Sequence, residues 1–332
     1  MLHKRNAKII SSGMAVPEKV VPNQYFNDLL GEDVDTWLKK NVQIYNRRWA
    51  EVGESISDLI VEACQQALDN ADLNPDDIDL LIVATDTPEF ISPSTASVVQ
   101  DKMQLINAGT FDMNSACAGF VSALDTGSKF IQADSQYKNV IVVGAYMMSK
   151  YLNLQDKKTV TLFADGAGAV VLKATEDGSG MLQSQLRTKG EFNSWMGIYA
   201  GGSKTPLSQD VLDQNHEKLQ FVKKIPTEIN PEIWTEMILQ LCEKEGVSVL
   251  DVKHFFFTQI NINTIFQTLD NLNVDRKKAI TIMHEYGYTG SACIPMGYSV
   301  ADNEEKRVKD GDLMIFMGSG GGLAFACSLF RK

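Results

Sequence analysis

The feature that most limits how this chain can fold is a weak internal repeat. Ile78–Val83 (IDLLIV) aligns with Val252–Phe257 (VKHFFF) at an offset of 174 residues. At the same offset Asn139–Gly144 (NVIVVG) falls on Leu313–Gly318 (LMIFMG), and Asn114–Cys117 falls on Tyr288–Ser291. Each match alone is weak, but three segments in one register point to two similar halves. We place these halves at residues 1–180 and 181–332, with an irregular insertion at 187–231 rich in Gly, Ser, Asn and Lys. The continuous apolar runs Ile78–Thr85, Asn139–Gly144, Ala167–Lys173, His254–Thr258, Leu313–Gly318 and Leu323–Phe330 read as buried strands. Glu54–Ala71 and Ala118–Ala133 carry apolar residues at helical spacing. Strands alternating with helices predict a mostly parallel sheet covered on both faces. Residue 117 and the 288–291 turn then follow equivalent strands, and the helices they open face one shared cleft.

Composition removes several functions. With 44% apolar residues in 332, the chain can bury a large core. A net charge of −11 argues against nucleic acid as a partner. Met1–Gly13 lacks a signal-peptide core, and no run of about 18 apolar residues occurs, so we expect a cytoplasmic protein without a membrane span. The five cysteines (64, 117, 242, 293 and 327) are odd in number and lack a CxxC pair, which fits reduced thiols. Four scattered histidines leave little for a metal site, and none is expected. His254 and His284 are read as structural; His3 and His216 receive no role.

Thr110–Phe120 (TFDMNSACAGF) sets Cys117 among small residues just after an apolar run. A buried core thiol is one reading. The other is a nucleophile on the first turn of a helix, where the partial positive charge favours the thiolate, and where Ala116, Ala118 and Gly119 leave room for a thioester. Gly320–Gly322 follow a strand, as a tight turn or as side-chain-free backbone offering N–H groups to a ligand.

Four segments, NSACAGF (114–120), FADGAGAVVL (163–172), MGSGGG (317–322) and DLNPDDIDLLIVATDTP (72–88), resemble the β-ketoacyl-acyl-carrier-protein synthase III family of the thiolase superfamily. The resemblance runs along nearly the whole chain and weakens between 187 and 232. It implies a duplicated thiolase-like α/β fold layered α/β/α/β/α, a homodimer, and an acyltransferase of fatty-acid, lipid or specialised-metabolite biosynthesis. Acyl-CoA or an acyl carrier protein would be the substrate, with no permanently bound cofactor. The resemblance makes Cys117 the nucleophile and gives the N–H groups of Cys117 and Gly321 the role of oxyanion hole. It assigns Trp37, Arg47, Lys157 and Asn261 to coenzyme A or phosphopantetheine, with Lys39, Lys40 and Arg48 adding positive charge. It places Ser92, donated by a partner subunit, at the acyl pocket, where so small a side chain implies a medium or longer acyl group.

Two positions depart from the family pattern. Where a histidine is expected, the chain reads Thr258-Gln-Ile-Asn261, and where an asparagine is expected it has Tyr288. Loss of a positioned donor costs about 10² to 10³ in rate, so decarboxylative condensation by the family's route is expected to be impaired while acylation of Cys117 persists. Thr258 and Tyr288 each keep a hydroxyl able to donate. A third departure, Asn41 in place of an arginine, weakens the case for tight nucleotide binding. The alternatives are a non-catalytic or half-active partner subunit of a ketosynthase and a cysteine thioesterase. In the latter, Ser115–Gly119 would form a nucleophile elbow with Asp165 and His284.

Overall fold

The computed structural model describes residues 5–332. His3 lies outside them. The first sheet contains β1 (Asn6–Ala15), β2 (Leu80–Ala84), β3 (Gly109–Met113), β4 (Asn139–Met147) and β5 (Asp165–Thr175), in the order β3-β2-β4-β5-β1. The second contains β6 (Gly180–Thr188), β7 (Val252–Phe257), β8 (Ala279–Ile280), β9 (Leu313–Gly320) and β10 (Ala324–Arg331), in the order β8-β7-β9-β10-β6. Position for position the two orders agree, as the repeat requires. In each sheet three neighbours run parallel and the remaining two are antiparallel. The sheets are therefore less parallel than expected. The physical reason is plain between β9 and β10, where Gly321–Leu323 is too short for a crossover helix and forces a hairpin.

The helices used below are α1 (Asp35–Asn41), α2 (Ile56–Ala71), α3 (Thr95–Met103), α4 (Gly119–Ala133), α5 (Ile229–Glu245), α6 (Ile262–Asn271) and α7 (Cys293–Ser299). Helices α4 and α7 lie between the sheets, α2 covers the outer face of the first, and α5 covers that of the second. This gives five layers, α/β/α/β/α. Helix α2 starts on a capping box, Ser55 with Asp58, and buries Leu59, Ile60, Ala63, Ala67 and Leu68.

Two glycines explain why the repeat survives in the sequence. A Cβ on Gly144 would overlap the Ser291 carbonyl just before α7, and one on Gly318 would lie 2.9 Å from Ala118 Cα at the start of α4. Each half thus gives up a side chain to let the other half's central helix approach. Ser291 Oγ locks the contact by donating to Ala84 O at 3.1 Å and Ala145 O at 2.7 Å.

Candidate active site

Cys117 sits at a sharp turn between β3 and α4. Ala116 adopts a left-handed φ of 47°, and the N–H groups of Ala118 and Gly119 donate back to Ser115 O and Ala116 O at 3.1 and 2.9 Å. Ala118 is the N-cap of α4. Cys117 is 4% exposed, and a cavity of about 780 Å³ reaches it from the surface.

The charge state differs from the sequence expectation. Burial first, and then the nearby Asp86 carboxylate, push the Cys117 thiol well above the ordinary cysteine value, while the Tyr288 hydroxyl pulls it down. Desolvation and a like charge both favour the protonated form, so the sulfur rests as a neutral thiol. Asp86 itself is pushed up to about 6 by burial, and its Oδ1 is shut away without a hydrogen-bond partner. The sequence reading missed Asp86, although it lies within one of the quoted motifs.

Thr258 and Tyr288 both line the cavity with Cys117, and each is 2% exposed. Tyr288 is held by Ala164 N–H to its carbonyl (2.9 Å) and by its own N–H to Leu162 O (3.0 Å), with its ring 5.3 Å from that of Phe163. Burial raises its phenol well above the ordinary range, so it acts as a donor. The Thr258 hydroxyl does donate, but to backbone. Its Oγ1 accepts from Ser319 N–H at 2.9 Å and donates to Ser319 O at 3.3 Å. That clamp holds the end of β9, where Gly320 has no side chain because a Cβ there would overlap Cys117 N. Gly321 occupies the turn that follows.

At the mouth stand Trp37, 55% exposed, with Lys157 and Asn261. Lys157 Nζ pairs with Glu32 at 3.0 Å, and Asn261 caps α6 by accepting from Asn263 N–H at 3.0 Å. Arg47 does not join them. It is fully buried, donating to Asn23 Oδ1 at 2.7 Å and to Thr161 O, with Phe26 beneath its guanidinium at 4.6 Å. Its terminal nitrogens are turned to an internal amide oxygen and carbonyl and it does not line the cavity, so the binding role is withdrawn. Lys39 pairs with Asp35 at 2.7 Å, and Arg48 donates to Glu18 O at 3.2 Å. The mouth draws its positive charge instead from Lys157 and Lys158 and from Lys223 and Lys224. The last two lie in the 187–231 insertion, where the paired lysines were the available signal. The insertion also supplies Met196, Phe221, Ile225 and Pro226 to the cavity wall. Asn41, in place of the arginine, folds back to donate to Trp37 O at 2.9 Å. Ser92 is exposed and outside the cavity, beside Phe90 and Ile91, which are 50% and 84% exposed.

The thioesterase constellation is not assembled. Asp165 is occupied by Ala50 N–H, Ser149 N–H and Ser149 Oγ, while His284 is exposed on the short helix Met283–Tyr286. His254 Nε2 contacts Asp312 at 3.1 Å, away from the cavity, and His216 is exposed. Cys64, Cys242, Cys293 and Cys327 are all buried free thiols. Among the described residues no helix is long and apolar enough to cross a membrane, and no group of His, Cys, Asp or Glu gathers to hold a metal.

A paired five-layer fold with a cysteine at a helix-opening turn, reached by a deep cavity, defines a thiolase-like enzyme. Residues 111–190 match the 3-oxoacyl-[acyl-carrier-protein (ACP)] synthase III family, and residues 242–332 match the C-terminal part of that family. The β-ketoacyl-[acyl-carrier-protein] synthase III of Clostridium perfringens strain SM101 is 35% identical over 329 residues, spanning 98% of this chain and 99% of that one. The enzyme of the same name from Clostridioides difficile strain 630 is 33% identical, spanning 98% of both. The crystal structure of 3-oxoacyl-[acyl-carrier-protein] synthase III from Aquifex aeolicus VF5 superposes with a TM-score of 0.89 at 31% identity, over 98% of this chain and all of that one. The chain belongs to the 3-oxoacyl-[acyl-carrier-protein] synthase III family of acyl-transferring enzymes.

Proposed function

We propose that the protein loads an acyl group from acyl-CoA or an acyl carrier protein onto Cys117 and passes it to an acceptor by an atypical route. The observation that carries this reading is the cavity running from a tryptophan and four lysines to a single buried sulfur. The tryptophan offers a face for stacking, and the lysines offer charge to phosphates or to an acidic carrier. The N–H groups of Cys117 and Gly321 receive the acyl oxygen. Thr258 and Tyr288 stand where the family pattern has histidine and asparagine. Neither is a base at neutral pH, so malonyl decarboxylation by the family route is strongly slowed. In the same reading a second copy covers Phe90, Ile91 and the half-exposed edge strand β3, bringing Ser92 to the neighbour's acyl pocket. These exposed apolar residues and that open edge support it.

The test is intact-mass measurement after incubation with a panel of acyl-CoA and acyl-carrier thioesters, beside Cys117→Ala. An adduct of acyl mass that the variant lacks is expected, and no adduct with any donor refutes acyl loading. Malonyl thioester then reports condensation through release of carbon dioxide. A half-active subunit is the second reading, favoured by the neutral thiol and the committed Thr258 hydroxyl. It requires adduct formation only when a partner synthase is present.

A further inference from the structure

A buried hydroxyl in a binding cavity is matched either by the protein or by what the cavity holds. Four such hydroxyls line the cavity at Cys117, and three are committed. Thr161 Oγ1 donates to Lys157 O at 2.8 Å, and Thr258 Oγ1 is bonded to both backbone groups of Ser319. Tyr288 turns its hydroxyl to the Cys117 sulfur. The fourth, Ser319 Oγ, bonds to nothing among the described residues and is not sealed away from the cavity. We propose that this hydroxyl binds the first amide of the donor's phosphopantetheine arm, and so selects thioesters that carry such an arm. The proposal rests on the acyl-loading reading above.

The strand fixes where the hydroxyl points. On β9 a Cβ at Gly318 would meet Ala118 Cα, and one at Gly320 would overlap Cys117 N, so both positions face α4. Successive residues of a strand face opposite sides, and Ser319 therefore turns to the side covered by α5. The cavity runs along that side, past Asn230 at the start of α5 and past Ile260, Asn261 and Thr264 at the start of α6. Gly320 and Cys117 close its deep end. Ser319 thus stands one residue from the corner where the cavity meets the sulfur. Its backbone is fixed there, because Thr258 holds its N–H and its carbonyl, and the hairpin pairs it with Phe325.

Bond connectivity places the amide. In an acyl-CoA or acyl-carrier thioester the first amide lies two carbons from the sulfur that Cys117 displaces. A thioester set at Cys117 therefore brings this amide to the wall beside Gly320. That wall is otherwise apolar, with Leu162, Ile260 and Leu323. An amide entering such a neck gives up water at both its N–H and its carbonyl. Ser319 Oγ can donate to the carbonyl or accept from the N–H, and no group of the described residues competes for it. A donor without the amide leaves the hydroxyl dry and unmatched, which is how a polar site rejects an analogue lacking its partner.

The experiment measures Cys117 loading by time-resolved intact mass with three hexanoyl donors. These are hexanoyl-CoA, hexanoyl-N-acetylcysteamine, which keeps only the first amide, and an S-pentyl thioester, in which methylenes replace it. Wild type should load from the N-acetylcysteamine donor with a second-order rate about tenfold to a hundredfold above that of the S-pentyl donor. In Ser319→Ala the CoA and N-acetylcysteamine donors should slow by that factor while the S-pentyl donor is unchanged, so the preference collapses. Its Tm and its rate of iodoacetamide alkylation at Cys117 should match wild type, because the hydroxyl holds no other part of the protein. An equal loss on all three donors marks a structural role and overturns the proposal, as does a Ser319→Ala protein that keeps the preference. Should that variant fail to fold, equal loading of wild type by the N-acetylcysteamine and S-pentyl donors overturns it alone. No adduct in wild type with any donor refutes acyl loading itself, and this assignment with it.

Discussion

Replacing Thr258 with valine keeps the shape of the side chain and removes only its hydroxyl. Two contacts go with it, the 2.9 Å bond from Ser319 N–H and the 3.3 Å bond to Ser319 O. Both lie in the interior, where an orphaned backbone N–H costs about 1–3 kcal/mol. With an unfolding entropy of about 2.1 cal/mol/K per residue, a loss of about 2 kcal/mol in a chain of this length lowers Tm by about 3 °C. The functional effect is larger than that shift suggests. Ser319 leads directly into Gly320, which is packed against the Cys117 N–H with no room for a methyl group, so drift at the end of β9 would move the N–H groups proposed to receive the acyl oxygen. Outright removal of one such donor costs about 10² to 10³ in rate. Partial displacement should therefore slow Cys117 loading by about tenfold, with little change in KM. Thr258→Ser restores the hydroxyl and should stay within about twofold of wild type. Scanning calorimetry and time-resolved intact mass provide the two readouts. Unchanged Tm and unchanged loading in Thr258→Val would refute the clamp, as would equal damage in the valine and serine variants.

Thr258→His alone should not restore condensation, because Tyr288 still fills the neighbouring position and the Ser319 clamp is lost. Carbon dioxide release from malonyl thioester at the rate of an ordinary family member would contradict this. In wild type, burial and Asp86 hold the Cys117 thiol above its ordinary pKa, so iodoacetamide alkylation should be slow at pH 7 and still rising beyond pH 9; a plateau below pH 8 would show a thiolate instead. Arg47→Met should lower Tm by several degrees, since it strips donors from buried Asn23 and Thr161, yet leave KM for acyl-CoA within about twofold. Lys223→Ala combined with Lys224→Ala should do the reverse. Asp86 sits in the fold with its pKa raised from 3.8 to about 6, so its ionised form burdens the native state above pH 6 and not below pH 4. Asp86→Asn should therefore be more stable than wild type at pH 8, by at most about 3 kcal/mol at 1.36 kcal/mol per pKa unit. Its advantage should vanish towards pH 4, as pH-dependent melting curves will show.

The strands that were legible in the sequence are those buried on both faces. Strands β2, β4, β5, β7, β9 and β10 show as unbroken apolar runs, and the structure places a strand over each. The missed strands have a mixed character for physical reasons. β1 (NAKIISSGMA) mixes polar and apolar residues, β3 is a half-exposed sheet edge carrying Thr110 and Asp112, β6 (GMLQSQLRT) is mostly partly exposed along its length, and β8 is only two residues long. The candidate site was legible to the extent that a motif fixed a position, as with Cys117 and Tyr288. It was not legible where long-range packing decides a charge. Arg47 is basic in a basic stretch, and only the fold shows it facing Thr161 more than a hundred residues away. The thiol's ionisation is of the same kind: its helix is local in sequence, whereas the burial that raises it, and after that Asp86 just beyond a neighbouring parallel strand, come from the fold.

The repeat also divides the chemistry. The first half supplies the sulfur, on the turn that leaves β3. The second half supplies Thr258, Tyr288 and the β9 glycines, which act on that sulfur from the opposite side. The contacts joining the halves near the sulfur, Gly144 against Ser291 and Gly318 against Ala118, involve neither Thr258 nor Tyr288. Residues of the second half can therefore change without disturbing how the sulfur is presented. A threonine that clamps backbone and a tyrosine that donates a hydrogen bond thus face the sulfur while leaving its turn and its cavity in place.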